Sequence, residues 1–230
     1  MGITEGKKVF ELPSTISETI YQYIKKAIIN GEFRPNQRLQ EKEIAKLFNV
    51  SSTPVREAFF RLAAETYLVI NARKEVLVEE KTLAEVKELY EVVRALDIFA
   101  LKKAREILRD EDIDELKRMT KKLSEYYKGK KIQSYLQQNL KIHDKIWQSC
   151  GNKFLYETLS HLMEKIAMHR TSNEFSPFSV PHSLEKSYRD HLRLLKAIES
   201  RNIMELEKFV AAHWGEEFFL EERDDSNKKD

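Results

Sequence analysis

Apolar residues recur along most of this chain at intervals of three and four, the helical period, and only one short stretch alternates as strands do. After a polar arm over residues 1–13, Ile20, Ile24, Ala27 and Ile28 form one face of a helix expected over about 17–30, which Gly31 stops. Phe33-Arg34-Pro35 and Arg38-Leu39 read as a turn. A short helix follows (Ile44, Ala45, Leu47, Phe48), broken at Asn49. A second helix carries Val55, Ala58, Phe59 and Leu62 on its inner side, with Ser51 or Ser52 as N-cap and Pro54 in the first turn. Leu68-Val69-Ile70 and Val76-Leu77-Val78 are β-rich runs around Asn71–Glu75, the pattern of a hairpin.

Past a linker near Glu79–Thr82, helical periodicity takes over. Helices are expected over about 83–108, 111–128, 132–149, 153–172, 184–199 and 203–222, with breaks at Arg109-Asp110, Gly129, Gly151-Asn152, Pro177–Pro181 and Asn202. The fold class is therefore mainly α: a small N-terminal domain over 1–80, an all-α bundle of about six helices over 81–222, and a disordered charged tail over 223–230.

Composition supports that division and narrows the chemistry. Of 230 residues, 34% are charged, with only 6 Gly and 5 Pro, a mixture that favours helix. No apolar run approaches the roughly 20 residues of a bilayer span, and the N-terminus lacks a signal-peptide core, so a cytoplasmic protein with no membrane partner is expected. Cys150 is the one cysteine, which excludes an internal disulfide and leaves any metal to His, carboxylate or amide ligands. Residues 1–80 hold about as many acidic as basic side chains, so any attraction to phosphate must come from a local patch.

Two short helices joined by a tight turn, the second opening with hydroxyls and an arginine, form a helix-turn-helix pattern. Its polar N-terminal end is narrow enough for a major groove, and its back packs on the helix before it. The string from Glu41 to Ala45, Val50-Ser51, Thr53-Pro54-Val55-Arg56-Glu57-Ala58 and Leu62 to Glu65 resembles the winged helix-turn-helix of the GntR regulators. The expected DNA-binding residues are Arg38, Lys42, Ser51, Ser52, Thr53, Arg56, Arg73 and Lys74. Three positions depart from the family's usual pattern: Ser52 and Lys42 stand where arginine is frequent, and Arg73 where the wing usually has glycine. Two guanine-reading arginines are thereby lost and the wing turn is altered.

The second part resembles the FCD sensory domain of the FadR-like GntR subgroup. The resemblance rests on Tyr90-Glu91-Val92-Val93-Arg94-Ala95-Leu96-Asp97, with its arginine one place late. It rests also on Asn139-Leu140-Lys141-Ile142-His143 and on Ser149-Cys150-Gly151-Asn152 followed by Leu155. Asn139 and His143 are one turn apart on a helix, and His191 and His213 each share a stripe with apolar residues. Spacing alone leaves these as ligands or as hydrogen-bonded core histidines. The resemblance implies a divalent metal site of Asn139, His143, His191 and His213, for zinc, nickel or manganese, with Asn139 where an aspartate is more usual. A neutral amide there lowers affinity, and protons should compete as pH falls toward 6. Arg94 and Arg170 are candidates to hold an effector carboxylate. His161, His169 and His182 are left as surface or core residues.

Together these readings predict a transcriptional regulator, a repressor, that binds a palindromic double-stranded operator as a homodimer. A small carboxylate effector would tune it. The alternatives are a regulator whose sensor is metal-free or vestigial, and a metal-dependent hydrolase or lyase. The latter is disfavoured because no general base stands at a useful spacing from the histidines and there is no HExxH motif.

Overall fold

A computed structural model describes residues 15–73, 75–170 and 181–214. The chain divides into two compact units between Glu79 and Glu80.

In the first unit the order is α1 (Ile16–Ile29), β1 (Arg38–Leu39), α2 (Glu41–Phe48), α3 (Ser52–Ala64), β2 (Leu68–Ile70) and β3 (Val76–Val78). Thr15 caps α1 through its hydroxyl, which accepts from the Glu18 amide at 3.1 Å, and Gly31 beyond the last turn takes φ +76°. Ile20, Ile24, Ala27 and Ile28 of α1 are buried along with Val55, Ala58, Phe59 and Leu62 of α3, so the two helices share the unit's core. Arg38-Leu39, read from sequence as part of a turn, pairs with β3 instead. The antiparallel sheet runs β1-β3-β2, with Leu39 opposite Val76 and Val69 opposite Leu77. Two residues carry too little alternation to announce a strand. Leu47, grouped by period with the inner face of α2, is 60% exposed.

The turn between α2 and α3 depends on Asn49 at φ 53°, ψ 49°, the left-handed region that asparagine tolerates better than other side-chain-bearing residues. Its amide donates back to Lys46 O, and that of Val50 to Ala45 O, which closes α2 and turns the chain for α3.

The second unit consists of α4 (Leu83–Ile107), α5 (Asp110–Lys128), α6 (Ile132–Gln148), α7 (Lys153–Arg170), α8 (Pro181–Glu199) and α9 (Ile203–His213). Each expected helix is present, with ends shifted by a few residues. The largest shift is α8, which starts at Pro181, a residue suited to a first turn because it needs no N–H partner there. The stretch of α9 expected beyond Trp214 and the charged tail lie outside the described residues. Thr82 and Glu85 form a capping box at the start of α4. Gly151 holds φ +67°, a conformation that strains a side-chain-bearing residue, and Ile107 Cδ1, 2.7 Å from where a Cβ would stand, would have to move aside for one. The core is one cluster drawn from all six helices, with Trp147, Tyr135, Leu116, Leu123 and Ile146 among its fully buried members. No described helix is long and apolar enough to cross a membrane.

Replacing Asn49 with alanine should lower the unfolding free energy by about 1 kcal/mol, and Asn49→Gly should leave it nearly unchanged, because only the left-handed backbone is at stake. Urea midpoints of the three chains test this. Equal loss in both variants would show that the Asn49 side chain, and not its backbone, holds the turn.

Candidate functional site

Three helices of the second unit each bring one histidine to a common point. His143 lies on α6, His191 on α8 and His213 at the end of α9, and they are 1%, 1% and 6% exposed. One ring nitrogen from each lies within 4.8 Å of the others. His143 Nε2 stands 3.2 Å from His213 Nε2 and 3.2 Å from His191 Nε2. Ligands about 2.0–2.1 Å from one tetrahedral ion stand roughly 3.3 Å apart, a spacing that both of these pairs match, with the third pair within 4.8 Å.

Proton bookkeeping favours the same conclusion. The Ser187 carbonyl can only accept, so His191 Nδ1, 2.7 Å away, carries the ring proton and Nε2 offers a lone pair. Burial pushes His191 down to about 4, with the Ser187 carbonyl and Asp190 raising it only in part, so the ring is neutral near pH 7. His143 Nε2 holds at most one proton between two neighbouring nitrogens. One turn earlier on the same face, Asn139 is 1% exposed and its Oδ1 has no hydrogen-bond partner among the described residues. An unsatisfied buried acceptor costs about 1–3 kcal/mol. His191 Nε2 and Asn139 Oδ1 thus each offer a lone pair of the kind that a cation accepts.

Acidic groups surround the cluster without entering it. Asp190, 3% exposed, places Oδ2 3.8 Å from His213 Nδ1, and burial raises its pKa. Asp97, 1% exposed on α4, accepts from Trp147 Nε1 at 2.6 Å and Trp214 Nε1 at 2.7 Å. The two indoles flank the His143 ring, at centroid distances of 5.5 and 5.1 Å, and Trp214 also meets His213 at 4.7 Å. Asp97 therefore fixes the aromatic walls of the site from a fourth helix, α4. Burial raises its pKa to about 6, against the two indole donors, which lower it. Sequence reading missed this role, although the signal was there: an acid in the buried stripe Val86, Tyr90, Val93, Asp97, Ala100, and two tryptophans in need of acceptors.

The remaining expected sensor residues lie elsewhere. Arg94 has an exposed side chain while Val93, its neighbour, is fully buried. Arg170 ends α7, and its side chain is outside the described residues. His161 is exposed. His169 is buried, and burial, followed by Lys81 and Lys165, lowers it to about 4. The stripe around His191 is Ser187, Asp190, Leu194, Ala197 and Ile198, while the adjacent Leu192 is 37% exposed.

In the first unit, Ser51 is the N-cap of α3 without a side-chain capping bond, and Thr53 and Arg56 are exposed in the first turns. Lys42 is exposed on α2. Arg56 meets Glu41 edge-on, Nε to Oε1 at 3.2 Å and Nη2 to Oε2 at 2.8 Å. Arg38 pairs with Glu75 at 2.9 Å. Asn71 closes the hairpin without glycine: its Oδ1 accepts from the amides of Arg73 and Glu75, both at 3.0 Å. Arg73 is exposed at the tip, and Lys74 is outside the described residues. Arg61 on α3 is paired with Glu18 and lies 3.9 Å from the Tyr21 ring centre, against α1.

Asp97 yields a pH test. Its native pKa, raised to about 6, means that its contribution is fully present below the unfolded-state value near 4 and is lost as pH rises through 6. The stability of the native chain relative to Asp97→Asn should therefore fall between pH 4.5 and 7 in chelator-treated samples. The histidines titrate in both chains and cancel. A pH-independent difference in urea unfolding would contradict the assignment.

Comparison with known proteins matches both units. Residues 16–78 match the family described as bacterial regulatory proteins, gntR family, and residues 88–216 match the FCD domain. A Bacillus subtilis protein named HTH-type transcriptional regulator YdhC is 29% identical over 199 residues, 84% of this chain and 85% of that one. The HTH-type transcriptional repressor RspR of Escherichia coli is 22% identical over 198 residues, 86% and 85% of the two chains. Among solved structures, Escherichia coli McbR/YncC superposes with a TM-score of 0.72 at 20% identity, over 88% of this chain and 94% of that one, which supports the fold. These families and relatives are regulators and not enzymes. A helix-turn-helix with a three-stranded wing, followed by a six-helix FCD domain, makes this chain a transcriptional regulator of the GntR family.

Proposed function

We propose that the chain represses transcription from a palindromic operator and that its FCD unit senses a small carboxylate metabolite at a divalent metal. The observation that carries the sensing half is the convergence of three buried histidine nitrogens beside the unpaired Asn139 amide oxygen. His143, His191 and His213 would hold the ion, with Asn139 as a neutral fourth donor. Bound there, zinc, nickel or manganese supplies a Lewis-acidic centre with positions open to a carboxylate. Ser187 behind His191 sets that ring's orientation through a hydrogen bond, and Asp190 stands 3.8 Å behind His213 as a nearby acid. The exposure of Arg94 favours a surface role for it, which leaves Arg170 as the guanidinium candidate for the effector.

The DNA-reading half uses Ser51, Ser52, Thr53 and Arg56 at the start of α3, with Lys42 and Arg38 beside them and Arg73 and Lys74 at the wing. A homodimer presents two such heads to the two halves of a palindrome. Effector binding changes operator affinity by as much as the effector prefers one placement of the heads over another.

Two measurements test the halves separately. Saturating zinc, nickel or manganese should raise the melting temperature of the chelator-stripped chain by about 5 °C or more, on the linkage expected at a hundredfold excess over Kd. His143→Ala should show no shift; absence of a shift in the native chain with all three ions would overturn the metal site. Arg56→Ala should lower operator affinity at least tenfold in a gel-shift titration, and unchanged binding would remove Arg56 from the interface.

A further inference from the structure

The pairing of Glu41 with Arg56 runs against simple electrostatics. Glu41 opens α2 and Arg56 lies one turn into α3, on the surface expected to meet DNA. A carboxylate there repels phosphate and, by charge alone, weakens binding. Yet the contact is bidentate and edge-on, through Nε and Nη2. Beside the pair lies a crevice of about 350 Å³, which Glu41 and Arg56 line together with Phe59, Phe60, Ile70 and Val76. A half-exposed arginine on its own samples many rotamers; one gripped on its Nε edge by a carboxylate is held in a plane.

We propose that Glu41 is a positioning residue that makes Arg56 a reader of base sequence rather than a general phosphate contact. Five N–H groups sit on a guanidinium, and Glu41 takes two of them from one edge. The Nη1–Nη2 end stays unengaged among the described residues, and that end is the fork that fits O6 and N7 of guanine. With Ser52 and Lys42 standing where the family often has arginine, this fork is the guanine reader left to the recognition helix. Glu41 also sits in the first turn of α2, where the helix dipole interacts favourably with a negative charge.

The proposal rests on Arg56 contacting DNA, and its test separates the two. The probe is the duplex recovered by selection from a randomised library with the native chain, alongside a scrambled duplex of equal length. Glu41→Ala should weaken binding to the selected duplex at least fivefold and leave binding to the scrambled one unchanged or tighter. Glu41→Gln, which keeps one acceptor, should lie between. Repeating the selection with Glu41→Ala should relax the preference for guanine at one position per half-site. In an Arg56→Ala background, Glu41→Ala should change affinity less than twofold. Glu41→Ala binding the selected duplex as tightly as the native chain, or more tightly, would overturn the proposal, because loss of repulsion would then be its whole effect. Loss of affinity for both duplexes alike would overturn it too. Unchanged binding in Arg56→Ala alone would remove the premise.

Discussion

The FCD unit is organised around three buried imidazoles, with His143 Nε2 3.2 Å from both His191 Nε2 and His213 Nε2. Such a cluster is costly unless something positive is shared among them, and burial has already pushed His191 away from supplying the charge itself. The rest of the bundle is arranged to keep the nitrogens aimed. Ser187 fixes the His191 tautomer, Asp190 faces His213, and Asp97 holds the two tryptophans that enclose the His143 ring. Helices α4, α6, α8 and α9 are thereby tied to one point, so the site and the packing of the domain are one problem.

The same logic of acid-held bases recurs in the DNA-binding unit. Glu41 holds Arg56, Glu75 holds Arg38, and Glu18 holds Arg61 against Tyr21. This accounts for a unit with nearly balanced charge in a family that binds operators. Pairs of this exposed kind contribute little to stability. Their effect is on orientation, and orientation is what base reading requires.

Much of this was legible in the sequence because periodicity reports burial directly. The stripes of α1 and α3, the six sensor helices, the hairpin and the inward face of each histidine follow from spacing. What spacing could not show was convergence. Nothing in the separation of His143, His191 and His213 along the chain brings their Nε2 atoms together; the packing of α6, α8 and α9 does. Polar residues with a structural task were the other omission. Asp97 and Asn71 read as ordinary polar positions until their partners, two indoles in one case and two wing amides in the other, are in place. Apolar residues erred in the opposite direction: Leu47, Phe99 and Leu192 match the helical period yet are exposed, because a stripe is wider than the face a neighbour covers.

The most direct test of the central claim is X-ray absorption spectroscopy on the purified chain, with metal quantified per chain in the same sample. The account predicts close to one divalent ion per chain, with about three imidazole nitrogens in its first shell and the remaining positions filled by oxygen. An imidazole count that stays at three in Asn139→Ala and falls in His143→Ala would fit the same site. Substoichiometric metal, or an ion bound with no imidazole in its shell, would contradict the account and leave the three histidines as hydrogen-bonding members of the core.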